Sequence, residues 1–176
     1  PPPPPPPPPP PAPPFHAFAI VDATQDVKSW KQADDFCTSI LGGVLATIRT
    51  EDENDRVLAL LRDKAGNTSK AWIGGKRVDG GWVWSSGTED GQHTFFRGAF
   101  YPSLNVTNGT WSSNWAPGAP VPASGDTCTS ADCVEFSAAD GMWRSVDCSF
   151  NREYLVCQEV APPPQPPPLP PPPSPP

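Results

Sequence analysis

Proline constrains this chain more than any other residue type, because most of its 29 prolines lie in two runs at the ends. The first run opens with eleven consecutive prolines. Each proline fixes φ and lacks an amide donor, so neither run can form a helix or a central strand. The sequence therefore predicts two polyproline II arms, residues 1–14 and 162–176, on either side of one globular domain at residues 15–161.

The composition of the middle segment predicts a packed domain. All seven tryptophans and all eight phenylalanines lie within it, so it can bury a large apolar surface. The formal net charge of -7 argues against nucleic acid as a partner. No apolar run approaches the roughly 20 residues that a membrane span requires, so we expect none.

Cysteines and glycosylation sequons indicate the compartment. The spacing of the five cysteines is unlike that of paired zinc ligands: Cys37, Cys128, Cys133, Cys148 and Cys157. With only two histidines in the chain, disulfides explain these cysteines better than a metal site, and no cofactor is expected. Three sequons for N-linked glycosylation begin at Asn67, Asn105 and Asn108. Together these features predict a secreted, extracellular protein.

Helix signals are confined to the first part of the domain. Ser29 and Thr50 each open a capping box, and glycines at 42 and 66 end the two predicted helices. The second helix is expected to bury four residues: Val57, Leu58, Leu60 and Leu61. Short aromatic and β-branched runs predict strands at 15–21, 71–74, 82–84, 133–136, 142–144 and 154–158. Two helices followed by short strands predict the α+β class.

The order of these signals resembles the C-type-lectin-like domain family across residues 15–160. The first landmarks are Cys37, Gly43-Val-Leu-Ala-Thr-Ile48, Trp72-Ile-Gly-Gly75 and Trp82-Val-Trp-Ser-Ser-Gly87. The later ones are Asn114-Trp115, Gly118-Ala-Pro120, Cys133-Val-Glu-Phe136, Gly141-Met-Trp143, Cys148 and Leu155-Val-Cys157. One such motif is weak, whereas the ordered set is specific. The resemblance implies that family's fold, with short antiparallel strands and a long loop over residues 87–127.

The resemblance also implies the disulfide pairing. Cys37 pairs with Cys157 and Cys133 pairs with Cys148, and in the chain-entropy model the two bridges contribute about 5 and about 3 kcal/mol. Cys128 is then left unpaired. Its alternatives are a buried or capped thiol, an intermolecular bridge, or a changed pairing with Cys133.

The sugar site of the resembled family is altered in this chain. Sugar-binding members hold calcium with a Glu-Pro-Asn type triplet, whose proline is often cis, and a Trp-Asn-Asp triplet. Here the triplets read Ala119-Pro120-Val121 and Trp143-Arg144-Ser145. Calcium takes six to eight oxygen ligands and is repelled by a cation, so we expect no metal here. Four nearby acidic residues either build a substitute site or, as we expect, solvate loops and strand ends: Asp126, Glu135, Asp140 and Asp147.

Aromatic residues of the long loop offer another route to ligand binding. Tyr101, Trp111 and Trp115, with Pro120 beside them, could stack on sugar rings or on proline. The alternative is a small secondary core under the loop, because Trp115 matches a family position that packs inside. Neither histidine lies in a nucleophile, base or metal motif, so no enzymatic activity is expected.

The arms are similar in composition to hydroxyproline-rich wall glycoproteins of plants and green algae. In the resembled fold the first and last strands pair, so both arms are expected to leave from one side. The expected function is an extracellular structural or assembly module of a cell wall, matrix or filament. The alternative is a calcium-independent, carbohydrate-binding lectin module. Expected partners are glycans or neighbouring glycoprotein chains, including further copies of this chain.

Overall fold

Two helices and a mixed sheet make up the part of the chain that the computed structural model describes, namely residues 17–26, 28–78, 81–85, 94–97, 114–120 and 132–159. The helices are α1 Trp30–Leu41 and α2 Glu51–Ala65. The strands are β1 Phe18–Asp22, β2 Val44–Leu45, β3 Lys70–Val78, β4 Gly81–Trp84, β5 Thr94–Arg97, β6 Cys133–Ser137, β7 Trp143–Val146 and β8 Tyr154–Gln158. This order confirms the predicted α+β class.

Both helices begin and end where their capping residues predict. The Ser29 amide donates to Gln32 Oε1 at 3.0 Å, before the first turn of α1. Gly42 ends α1 in the left-handed conformation, with φ of 61°. At α2 the Glu53 amide donates to Thr50 Oγ1 at 3.1 Å, and the Thr50 amide donates to Glu53 Oε2 at 3.2 Å. Each box pairs amides that the first helical turn leaves without backbone acceptors.

The apolar face of α2 differs from the prediction at one residue. Val57 and Leu61 are buried and Leu58 packs partly against the core, but Leu60 is 41% exposed. Successive helical residues are rotated by about 100°, which puts Leu60 on the flank of the buried stripe. The buried residues of α2 are Asn54, Val57 and Leu61, so the stripe includes a polar residue one turn before Val57 and does not include Leu60.

The sheet has the order β1-β8-β3-β4-β5, and β6 joins β3 to β7. Every predicted strand is present: β8 has the predicted ends and each of the others has at least one shifted end, while the two-residue β2 and the loop strand β5 were not predicted. The β3–β8 pair is parallel, unlike the other pairs, with Ala71 beside Tyr154. Strand direction depends on the path of the connections, so no local sequence pattern indicates it.

The two faces of the sheet carry separate halves of the core. On one face, Ile73 and Phe136 pack with Val57 and Leu61 of α2. On the other, Trp72 and Leu155 pack with Trp30 and Ala33 of α1. Alternation along each strand produces this division.

Two disulfides reinforce the α1 face. Cys37 of α1 is bonded to Cys157 of β8, and Cys133 of β6 is bonded to Cys148, across sequence separations of 120 and 15. These are the two pairs that the resemblance implies. Cys128 lies outside the described residues.

The two ends of the described chain meet at one edge of the sheet. Strands β1 and β8 pair antiparallel, with Phe18 opposite Gln158, as expected for the first and last strands. Just beyond them, the Glu159 amide donates to the Ala17 carbonyl at 3.1 Å. The predicted arms lie outside the described residues. Among those described, no helix has both the length and the apolar character needed to cross a membrane.

Candidate functional site

The loop that carries Ala119 and Pro120 of the first altered triplet is bonded to Trp143 of the second, while Val121 lies outside the described residues. The Trp143 amide donates to the Asn114 carbonyl at 2.8 Å, and the Ala116 amide donates to the Trp143 carbonyl at 2.9 Å. These bonds attach residues 114–120 to strand β7. The peptide bond between Ala119 and Pro120 is cis. The loop that carries Ala119 and Pro120 is therefore attached to the second triplet by backbone hydrogen bonds.

Two asparagine side chains hold the β6–β7 turn beneath this loop. Asn54 of α2 accepts from Trp143 Nε1 at 3.0 Å and donates to the Gly141 carbonyl at 3.1 Å. Asn114 donates to the same carbonyl at 2.8 Å. A buried amide with both ends bonded fixes its neighbours, because any shift leaves a polar group unsatisfied. Helix, turn and loop therefore form one connected unit.

Tryptophan rings fill the space under the loop. Trp115 contacts Trp82 and Trp143 edge-on, with ring centroids 5.0 and 6.0 Å apart, and Trp84 contacts Trp143 at 5.4 Å. Trp115 is half-buried in these contacts, and Pro120 is buried. The other two aromatic candidates, Tyr101 and Trp111, lie outside the described residues. Ligand binding by this set stays a prediction.

Arg144 of the second triplet is engaged by Asp140 from the adjoining turn. Nη1 donates to Oδ1 at 3.2 Å and Nη2 donates to Oδ2 at 2.5 Å, a two-pronged pair. The guanidinium lowers the pKa of Asp140 from 3.8 to about 2, assisted by the Met142 amide. The same hydrogen bonds raise the pKa of Arg144. The pair forms a fixed, nearly neutral patch beside the loop.

This donor set does not fit calcium. Ala119 and Pro120 offer no side-chain oxygen, and the guanidinium of Arg144 stands where the family has an amide ligand. Asp140, in the adjoining turn, already accepts both bonds from that guanidinium. Across the described residues, no three His, Cys, Asp or Glu side chains lie close enough together to hold a metal.

Of the other acidic candidates, Glu135 departs from expectation. It is fully buried rather than solvated, because Arg152 Nε donates to its Oε2 at 2.7 Å and Arg152 Nη2 contacts the same oxygen. Its second oxygen lies 2.9 Å from Lys70 Nζ, as an ion pair without hydrogen-bond geometry. Asp147 accepts from the Ser149 amide at 2.8 Å in a turn, as expected. Asp126 lies outside the described residues.

One of the three sequons lies in the described part of the chain. Asn67 and Thr68 are exposed in the turn between α2 and β3, and the Ser69 hydroxyl donates to the Gly66 carbonyl at 2.8 Å. The sequons at Asn105 and Asn108 lie outside the described residues. Glycosylation at all three stays a prediction.

Sequence reasoning missed Asn54 and the Arg152–Glu135 pair. A polar residue on the apolar stripe of α2 was a usable signal for Asn54, since such a residue must be hydrogen-bonded to be buried. Arg152 and Glu135 are 17 residues apart, and no local pattern connects them.

Comparison with known proteins identifies the family. The profile described as "Lectin C-type domain" matches residues 26–159. No curated protein sequence matches the chain. Human lithostathine is similar in structure, with a TM-score of 0.59 and 21% identity, over 85% of this chain and 87% of that one.

Two further solved structures are similar. The cow CD23 carbohydrate-recognition domain, determined in the presence of a GlcNAc2Man3 oligosaccharide, has a TM-score of 0.54 and 23% identity, covering 83% and 88% of the two chains. A calcium-independent type II antifreeze protein has a TM-score of 0.56 and 22% identity, covering 82% and 86%. The profile spans most of the chain and the structures agree with it, so this chain belongs to the C-type lectin domain family.

Proposed function

We propose that this chain is an extracellular structural module, in which a C-type lectin domain is attached sideways to a proline-rich chain that carries the assembly. The observation that carries the proposal is the hydrogen bond between Glu159 and Ala17. The first proline-rich segment ends, and the second begins, within a few residues of this bond. The domain then interrupts the proline-rich chain only briefly, and most of its mass projects to one side.

The proposed role of the arms follows from the chemistry of proline. Polyproline II rises about 3.1 Å per residue, so each arm would reach roughly 45 Å as a stiff rod. Neither arm carries a charged residue. In an extracellular setting, hydroxylation and O-linked glycans would give these rods the polar groups that bare proline lacks. The disulfides support that setting, since they persist in oxidising compartments.

The altered triplets support a role that does not depend on calcium. Arg144 occupies a position where sugar-binding relatives need an oxygen ligand, and its guanidinium donates two hydrogen bonds to Asp140. The antifreeze protein similar in fold is described as calcium-independent, and we propose the same of this domain. The proposal assigns it no catalytic step.

Removing the arms tests the proposed assembly role. Chains lacking residues 1–14, residues 162–176 or both would be compared with the intact chain by sedimentation velocity and negative-stain electron microscopy. An unchanged melting temperature and intact disulfides would show that each domain is folded. We expect the intact chain to form elongated assemblies and the doubly shortened chain to stay small. Normal assembly without either arm would contradict the proposal, as would normal assembly after prolyl hydroxylation is blocked.

Calcium-independent glycan binding is the second candidate function. It is supported by membership of a lectin family and by Phe150, an aromatic side chain that is 50% exposed. A glycan array probed with the intact chain, with and without a chelator, tests it. Binding that survives chelation supports this candidate. Binding that calcium restores would contradict the calcium-independent role in both candidates.

A further inference from the structure

Phe150, in the turn before β8, has the most exposed large hydrophobic side chain among the described residues. The ring is supported from within the domain. The guanidinium carbon of Arg152 lies 5.5 Å from the centroid of Phe150 and 5.2 Å from that of Trp72. Trp72 is fully buried and donates from Nε1 to the Lys28 carbonyl at 2.8 Å. The solvent-exposed ring of Phe150 therefore packs on the guanidinium of Arg152, which in turn packs on the buried ring of Trp72.

The ion-pair cluster that includes Arg152 holds more cations than carboxylates. Arg152 and Lys70 both pair with the buried carboxylate of Glu135, which leaves one net positive charge. Each of the other four ion pairs among the described residues matches one cation with one carboxylate. The Lys70 side chain is 49% exposed, whereas that of Arg152 is largely covered. Lys70 therefore presents this charge to solvent, in a chain whose net charge is -7.

We propose that Phe150 and Lys70 form a binding surface for an acidic glycan, a sugar chain whose residues carry carboxylates. The ring stacks on the C–H face of one sugar, and the Lys70 ammonium pairs with a carboxylate of the same chain. Charge complementarity selects this partner, because a neutral glycan or a proline-rich arm makes no use of the excess cation. None of these residues belongs to the altered triplets. The inference rests on the second candidate function and names its ligand class.

Single contacts of this kind are weak, because an exposed ion pair is screened by solvent and salt. A polymer that presents the same groups repeatedly would bind through several domains at once, which raises the apparent affinity. Such binding suits a module that recurs in an extracellular assembly. It also predicts that added salt weakens binding to an acidic chain and leaves binding to a neutral one unchanged.

The test measures binding of hexagalacturonate to the intact chain by isothermal titration calorimetry in the presence of a chelator, with maltohexaose as the neutral probe. Lys70→Gln and Phe150→Ala remove the two contacts and keep the Arg152–Glu135 pair. Lys31→Gln, which breaks an exposed pair on α1, and Leu60→Ala, which removes the other large hydrophobic side chain that is exposed among the described residues, are the matched controls. Melting temperatures would establish that all four variants are folded.

We expect hexagalacturonate to bind, and each test variant to weaken its association about fivefold, as the loss of one exposed contact predicts. The controls should bind like the native chain. Equal loss in tests and controls, or no binding of hexagalacturonate, would overturn the proposal. Binding of maltohexaose alone would also overturn it, while leaving glycan binding in general intact. If undecaproline binds in a way that depends on Phe150 and hexagalacturonate does not bind, the surface would be assigned to the proline-rich arms instead.

Discussion

Arg144 donates from its two Nη nitrogens to the two carboxylate oxygens of Asp140, at 3.2 and 2.5 Å. Asp140 lies in the β6–β7 turn and Arg144 lies in β7, beside the loop that carries Pro120. A fixed positive charge therefore occupies one of the positions where sugar-binding relatives have a calcium ligand. The pair balances charge locally and leaves the site without the oxygens that calcium requires.

The first prediction concerns calcium itself. A ligand that binds only the native state raises its stability, so a calcium-binding domain melts higher when calcium is added. Because the donor set does not fit the ion, we expect millimolar calcium and excess chelator to give the same melting temperature. Differential scanning fluorimetry with magnesium as the ionic-strength control measures this. A rise of several degrees that is specific to calcium would contradict the prediction.

The second prediction concerns acid stability. The pKa of Asp140 is lowered from 3.8 to about 2 by Arg144, so folding favours its charged form. The contribution of Asp140 to the free energy of unfolding is fully present above its unfolded pKa of 3.8 and is lost as the pH falls through its folded pKa of about 2. Both side chains are about one-third exposed, so Asp140→Asn should lower the free energy of unfolding at neutral pH by only about 0.5–1 kcal/mol.

Urea denaturation at neutral pH and near pH 2 measures this difference. The native chain and the Asp140→Asn variant should converge in acid. Asp35→Asn, which removes an exposed pair with Lys31, should have little effect at either pH and serves as the control. A difference that persists unchanged in acid would show that Asp140 acts through something other than its charge.

The third prediction compares two glycines with left-handed backbones. Gly118 and Gly141 have φ of 83° and 72°, so alanine at either position is strained by about 1 kcal/mol. A Cβ at Gly118 meets nothing within 4 Å, whereas one at Gly141 would lie 3.0 Å from Leu58 Cδ2. Gly141→Ala should therefore destabilise the domain by about 2 kcal/mol in total, more than Gly118→Ala does.

A double-mutant cycle checks the physical cause of that difference. In a Leu58→Ala background, Gly141→Ala should cost about as much as Gly118→Ala, because the contact is gone. If Gly118→Ala and Gly141→Ala are equally destabilising in the native background, the contact with Leu58 is not the cause of any loss.

The fourth prediction is an N-linked glycan on Asn67. This residue is exposed in a turn, and its neighbour Thr68 is exposed as well, so the acceptor amide is accessible on the folded domain. Enzymatic release of N-glycans should convert Asn67 to Asp in the mapped peptide, and Asn67→Gln should remove one glycan from the intact mass. Recovery of this peptide wholly unmodified from a secreting eukaryotic host would contradict the prediction.

The sequence predicted the helices and the larger strands, because these elements depend on residues that are close together in the chain. The capping boxes at Ser29 and Thr50 located both helices, and aromatic runs located the larger strands, because these patterns depend on neighbours in sequence. Leu60 was misjudged because an apolar residue on the flank of a helix looks like one at its centre. The burial of Glu135 depends on Arg152 and Lys70, which approach it from other strands and turns. Such contacts exist only after the chain has folded.

The central claim is that both proline-rich segments leave the domain from one side. Spin labels introduced through non-natural amino acids at residues 14 and 162 leave the cysteines untouched, and pulsed electron paramagnetic resonance measures the distance between them. Because Glu159 bonds to Ala17, we expect a distance of about 25 Å or less, which allows for the few residues between that bond and each label. A distance near the roughly 40 Å diameter of a domain of this size would put the segments on opposite sides and contradict the claim.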